Sequence, residues 1–190
     1  MSVMKLFHTG YEVIERPDIR IGRKNADLGQ GFYLSDNEEF SRRWARQKRG
    51  HTTYLNQYEL ETEGLQIKKF AKDQEWFEYI FRNRMNAPDS LAEYDVLIGP
   101  IANDTIYDTF GILTSGLMKT EDALAVLQLG NTYYQIVLKT QKAADALHFI
   151  RADVLEPEEI ISYREIVQAE EKQFQEDFAK LFEEIMDPDD

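Results

Sequence analysis

The sequence predicts an α+β domain, and three patterns carry that expectation. Short runs with strand character alternate with segments of helical period at irregular intervals along the chain. One run alternates cleanly, with Tyr133, Gln135 and Val137 facing one way and Tyr134, Ile136 and Leu138 the other. Near the end, Phe174, Phe178, Leu181, Phe182 and Ile185 recur at helical spacing, the mark of an amphipathic helix.

Taken in order, Met4 to Phe7 reads as a first short strand ending at His8, with Thr9-Gly10 as the turn that follows. Glu15 to Gln30 is polar and irregular and contains Pro17, Gly22 and Gly29, a length that suits a functional loop. Gly31 to Leu34 is a second strand. Ser35 with Glu38 forms a capping box, and Phe40, Trp44 and Ala45 give the following helix an apolar stripe to about Arg49. Thr52 to Leu60 has strand character, a helical period follows Asp73 through Arg84, and Tyr94 to Pro100 is a strand stopped by Gly-Pro. Asn103-Asp104 caps a helix to about Leu113, another runs from Thr120 to Gly130, and Glu165 to Met186 forms the last. Residues 1–155 are expected to form one domain. Residues 156–190 make an acidic helical tail whose stripe rests on the domain, a second copy or another partner.

Composition narrows the function. At 190 residues, 43% apolar and 30% charged, the chain suits one folded core. It has no apolar run of bilayer length and no signal-peptide stretch, so a cytoplasmic protein without a membrane partner is expected. There is no cysteine, and His8, His51 and His148 are not clustered, so no metal is expected. A net charge of −13 disfavours non-specific nucleic-acid binding. The charge is uneven: residues 1–50 carry ten basic against seven acidic side chains, and residues 151–190 four against fourteen. A dinucleotide pyrophosphate can be accommodated by the first third.

The candidates for chemistry are His8, Tyr33 and Gln135, each placed on or at the end of an expected strand. Each has a plainer reading. A lone strand-end histidine is usually a satisfied surface residue, a strand tyrosine is usually core, and Gln135 is a polar residue between apolar neighbours. Asn103 and Asp104 act as a helix cap, Gly29 and Gly31 as backbone turns, and Arg20, Arg23 and Lys24 as a solvated basic loop.

Leu6-Phe7-His8-Thr9-Gly10, Asp27-Leu28-Gly29-Gln30-Gly31-Phe32-Tyr33-Leu34-Ser35, Trp44-Ala45, Tyr94 through Asp104, and Tyr134-Gln135-Ile136-Val137-Leu138-Lys139-Thr140 occur in this order. Over roughly residues 4–150 they resemble a bacterial family classed as a domain of unknown function, of the kind of the diphtheria-toxin and poly-ADP-ribose-polymerase transferases. The resemblance implies a split-sheet ADP-ribosyltransferase-like fold with an added C-terminal amphipathic helix. It implies NAD as substrate, a macromolecular target, and the life of a toxin or defence effector, with an antitoxin or other protein partner or a homodimer. By the same resemblance His8, Thr9, Gly10, Gly31, Phe32, Tyr33, Asn103 and Asp104 contact NAD, and His8, Tyr33 and Gln135 hold the catalytic places. His8 would bond the ribose and Tyr33 stack on nicotinamide.

Gln135 stands where such enzymes place a glutamate. An amide can bond a ribose hydroxyl but carries no charge against an oxocarbenium ion, a deficit of about 10²–10³ in rate by analogy with lost oxyanion donors. Glu59, Glu61 or Asp104 are the candidates to replace it. The alternative is a weak or inactive NAD or ADP-ribose-binding module acting through protein contacts.

Overall fold

A computed structural model of the chain describes residues 2–101, 122, 125–126, 129 and 132–186. Along it run β1 (Val3–Gly10), β2 (Phe32–Leu34), α1 (Glu38–Arg43), β3 (Thr53–Glu61), β4 (Ile67–Lys69), α2 (Gln74–Arg84), β5 (Val96–Pro100), β6 (Tyr134–Leu138), α3 (Gln141–Asp145), β7 (Leu147–Leu155) and α4 (Pro157–Met186). The fold is mixed α+β. Apart from positions 122, 125–126 and 129, the helices expected over 103–113 and 120–130 lie outside the described residues.

The strands form two sheets, ordered β1-β3-β7 and β2-β6-β5-β4, antiparallel throughout except for the parallel pair β4–β5. Among the described residues one backbone bridge joins them, where the Phe7 amide donates to the Ser35 carbonyl at 2.8 Å and the Ser35 amide to the Phe7 carbonyl at 3.0 Å. Strand alternation then sorts the side chains. Leu6, Tyr58 and Leu60 of the first sheet meet Phe32, Leu34, Val96, Ile136 and Leu138 of the second in one core. On its other face the second sheet packs Leu97 and Val137 against Leu28 and against Trp76, Phe77 and Ile80 of α2. Outside the first sheet, Phe7 and Leu55 are covered by Ala45, Leu155 and Ile160. Each such side chain withdrawn from water stabilises the fold by about 1.5–3 kcal/mol.

Several boundaries differ from the sequence expectations for identifiable reasons. β1 does not end at His8, because β3 pairs with every residue as far as Gly10, opposite Tyr54. The cap of α1 is Asn37, whose side chain accepts the Phe40 amide at 2.9 Å, while Ser35 Oγ accepts the Asn37 amide at 3.1 Å. That helix stops at Arg43 and not near Arg49, since nothing apolar after Ala45 continues its stripe. β5 ends at Pro100 as expected but begins at Val96, two residues later than Tyr94. α2 begins after Asp73 as expected, with the Asp73 side chain capping Trp76 at 3.1 Å.

Asp95, in the Tyr94-Asp95 motif, is a structural staple. Its buried carboxylate accepts from the Gln66 amide at 2.8 Å, from Thr140 Oγ1 at 2.6 Å and from Lys142 Nζ at 3.0 Å, tying β6 and α3 to the entry of β5. α4 starts at Pro157, whose fixed φ suits a first helical position. Its first half docks on the domain: Ile160 is buried, Glu159 pairs with Arg42, and Glu170 lies 2.6 Å from Arg43. Farther along, Phe178, Leu181, Phe182 and Ile185 pack on buried Val126. Among the described residues no helix is long and apolar enough to cross a membrane.

Two glycines of the Gly29-Gln30-Gly31 turn leave no room for a side chain. Gly29 has φ +80°, and a methyl there would meet the Asp89 carboxylate and Lys139 Nζ; at Gly31 one would overlap the Leu138 carbonyl and Val137. Gly31→Ala is accordingly expected to destabilise the domain by about 1–3 kcal/mol in urea unfolding, with the m-value unchanged.

Candidate functional site

His8 lies on β1, one residue beyond the bridge that joins the sheets, on the strand face that carries Leu6. Its Nδ1 is 2.8 Å from the Tyr33 carbonyl oxygen. A carbonyl only accepts, so Nδ1 carries the hydrogen and neutral Nε2 is left as an acceptor. The ring sits 4.7 Å from that of Phe32, tilted by 34°. Burial pushes the imidazole below its ordinary value of 6.5, more strongly than the bond to Tyr33 raises it. At neutral pH His8 is therefore uncharged. Gly10, two residues on and on the same face, leaves Nε2 uncrowded, since a methyl there would stand 3.3 Å from it.

Tyr33 connects to His8 through its backbone; its side chain leaves β2 on the opposite face, against the cluster of Leu28, Trp76 and Val137. The hydroxyl accepts the Leu28 amide at 3.0 Å and donates to the Gly29 carbonyl at 2.7 Å. Burial, first among the causes, raises its pKa. Gln135 shares that face by alternation with Val137, and it pairs with Gly99 across β5. Its Nε2 is buried and has no hydrogen-bond partner among the described residues. Native interiors rarely leave a buried amide unpaired, so this atom marks a place for a polar ligand atom or a water.

The remaining positions divide. Thr9 commits its hydroxyl to the Ser41 carbonyl at 2.5 Å, fastening β1 to α1. Phe32 packs edge-on to Tyr58 with centroids 5.9 Å apart, and Gly31 lies beneath β6. Glu59 and Glu61 pair in register with Lys5 and Val3, on the sheet face opposite His8, and both are exposed. They cannot supply charge beside its imidazole. Asn103 and Asp104 lie outside the described residues.

One row of backbone gathers these groups. Phe7 bridges Ser35; one step beyond the Leu34–Ile136 pair, Ser35 stands beside Gln135; and Gln135 pairs with Gly99. His8 adjoins the start of the row, and Tyr33 is two residues from its middle. His8 and Phe32 lie on the face of the second sheet turned to the first, whereas Tyr33 and Gln135 lie on its opposite face, towards α2, so the three side chains are not brought onto one surface.

Two supporting networks were not legible as site residues. Asn56, fully buried on β3, accepts the Ile14 amide at 3.0 Å through Oδ1 and donates to the Glu12 carbonyl at 3.0 Å through Nδ2, while Tyr58 donates to the Ile14 carbonyl at 2.7 Å. They fasten the long loop after β1 to the sheet. On the other side Lys139, with 3% of its side chain exposed, pairs with Asp89 and donates to the Leu28 carbonyl at 3.0 Å. Asp89 also accepts Tyr79 OH at 2.7 Å and the Leu91 amide at 2.9 Å. Burial would raise its carboxyl, but the bonds from Lys139, Tyr79 and Leu91 outweigh it and hold the group below its ordinary 3.8. Nearby, Arg84 Nε lies 2.7 Å from Asp27. The sequence signals were small: Asn56-Gln57 is a polar pair inside an apolar strand, and Lys139 closes an otherwise apolar one.

A family model described as "Protein of unknown function (DUF3990)" matches residues 4–149. The chain belongs to this family. The DUF3990 match enters within β1 and leaves within β7, so the row across the split and both supporting networks lie inside it. No curated protein matches the chain.

Two measurements probe this DUF3990 site. Because the folded His8 pKa is depressed, the unfolded chain binds a proton first, and stability falls as pH drops below about 6.5. In His8→Asn, whose amide can still donate to Tyr33, that slope is expected to flatten, as read from urea midpoints from about pH 2.5 to 7.5, while the loss from Asp89 and Asp95 below about 3.8 persists. Lys139→Met leaves Asp89 without its cation in a largely buried setting. It is expected to cost about 3–5 kcal/mol in the same assay.

Proposed function

We propose that this domain binds NAD at the split between its sheets and transfers ADP-ribose from it to a macromolecule. The observation that supports the reading is the row Phe7–Ser35–Gln135–Gly99: the strands that carry His8, Tyr33 and Gln135 are neighbours along it, with the His8 side chain on one face of the second sheet and those of Tyr33 and Gln135 on the other. A neutral His8 held through Nδ1 offers Nε2 to a ribose hydroxyl. The unpaired amide of Gln135 offers a donor at the same level of the sheets. These residues suit binding and orientation of a dinucleotide. NAD supplies the bond that breaks, between nicotinamide and ribose, and the acceptor's nucleophile takes the ribosyl carbon. A toxin or defence role, with a cognate antitoxin, belongs to this reading.

A second reading is favoured by one observation. Gln135 supplies no negative charge, and Glu59 and Glu61 face elsewhere. A domain so built binds NAD or ADP-ribose without breaking the bond.

One set of assays separates the two. Purified protein is incubated with NAD labelled in the ADP-ribose half and a bacterial lysate, nicotinamide release is followed, and binding of NAD and ADP-ribose is measured by calorimetry. The transferase reading expects slow labelling, reduced at least about tenfold by His8→Ala through the lost ribose bond, and raised about 10²–10³ by Gln135→Glu. Binding heat without nicotinamide release, in the wild type and in Gln135→Glu, supports the module. No heat with either nucleotide sinks both.

A further inference from the structure

We infer that β7 is a self-pairing edge, through which two copies of this chain join their three-stranded sheets into one six-stranded antiparallel sheet. The first sheet is ordered β1-β3-β7, so among the described residues β7 has a strand neighbour on one side only. At nine residues it is a long edge, and an edge presents a row of main-chain donors and acceptors. It is also apolar where it is open: Ile150 is 52% and Val154 49% exposed.

The occupant is specified by the order of side chains about Ala152. Reading outward in both directions, Arg151 stands against Asp153, and Ile150 against Val154. In an antiparallel pair related by a two-fold axis through Ala152, Arg151 therefore faces Asp153 of the second copy. The axis repeats the contact, giving two opposite-charge pairs around an alanine centre, with exposed Val154 one residue beyond each Asp153. Partners in an antiparallel ladder point to the same face, and Arg151 with Asp153 satisfies this, since both alternate with Ala152. Within one chain the two charges already lie on one face, 3.4 Å apart between Arg151 Nε and Asp153 Oδ2.

The match is bounded. The register of β7 against β3 shifts between Gln57 and Tyr58, where Gln57 pairs with Arg151 and Tyr58 with Phe149, so Ile150 is the extra residue of a bulge. Regular alternation thus covers Arg151 to Leu155, and the pairing window about Ala152 is carried by Arg151, Ala152 and Asp153, ending where the bulge re-aims the strand. Parallel pairing in register would set Arg151 against Arg151 and Asp153 against Asp153, and like charges opposite each other are destabilising. An unrelated strand has no reason to share this inverted order; a second copy has it necessarily.

This inference is independent of any nucleotide, and its test uses none. The full chain is examined by sedimentation equilibrium over a wide concentration range. A dimer is expected for the wild type. Arg151→Asp sets like charges across both ends of the window and is expected to weaken dimerisation at least about tenfold, as is Asp153→Arg. The swap of both in one chain, Arg151→Asp with Asp153→Arg, restores the opposite pairs and is expected to recover the dimer. Val154→Lys, an outward change that leaves the core untouched, should abolish it, with circular dichroism confirming the fold. A wild type that stays monomeric at millimolar concentration overturns the inference. So does a dimer that ignores the single charge changes, or one that the double swap fails to rescue.

Discussion

The pair of amide hydrogen bonds between Phe7 and Ser35 is the constraint on which the rest of the structure turns. Two sheets that share one such contact must part on either side of it. What lies next to the parting is set by the periodicity of the strands: Leu6 and Leu34 bury themselves between the sheets, Phe7 turns outward, and His8 follows Leu6 inward by one more alternation. The His8 bond to the Tyr33 carbonyl then acts as a second fastening, one residue from the first. Because that fastening uses the ring's hydrogen, the imidazole is neutral and directional, and its free nitrogen is an acceptor by necessity.

Around this seam the domain invests buried polar groups in holding loops. On one side Asn56 and Tyr58 grip the backbone of Glu12 to Ile14, and on the other Lys139 and Tyr79, both bonded to Asp89, grip the carbonyl of Leu28. A buried lysine is costly unless fully bonded, and Lys139 is supplied with a carboxylate and a carbonyl. Both grips act on main chain, not on neighbouring side chains. They define where the loop runs while leaving its outward residues, such as exposed Ile21 and Arg20, free of the core.

Much of this was legible in the sequence where one physical signal dominated. The alternation of Tyr133 to Lys139 placed β6 and its two faces, Asp73 placed the start of α2, and the Phe-rich stripe placed the last helix. What was not legible depended on partners distant in the chain. Thr9-Gly10 looks like a turn in isolation and is strand because β3 runs alongside it. β7 hides its alternation behind the extra residue Ile150, and β4, three residues long, has too few positions to show a period. The order of His8, Tyr33 and Gln135 was readable, but the face each takes was not, since it depends on how the two sheets bend about a single bridge. The carboxylate alternatives Glu59 and Glu61 could be weighed only once the register with β1 was known.

The ion pairs from α1 to α4 bear on what the acidic end of the chain means. Arg42 and Arg43 leave α1 five and six residues after its cap, in the helix that follows the strand carrying Tyr33, and reach Glu159 and Glu170. Arg43 also covers the ring of Tyr133, two residues before Gln135, which Phe40 stacks against at 4.3 Å. The segment after β7 thus buttresses the same two strands that form the second face of the seam, and part of its negative charge is neutralised there by the basic first third of the chain. The lopsided charge read along the sequence becomes, in three dimensions, an internal clasp between the beginning of the protein and its end.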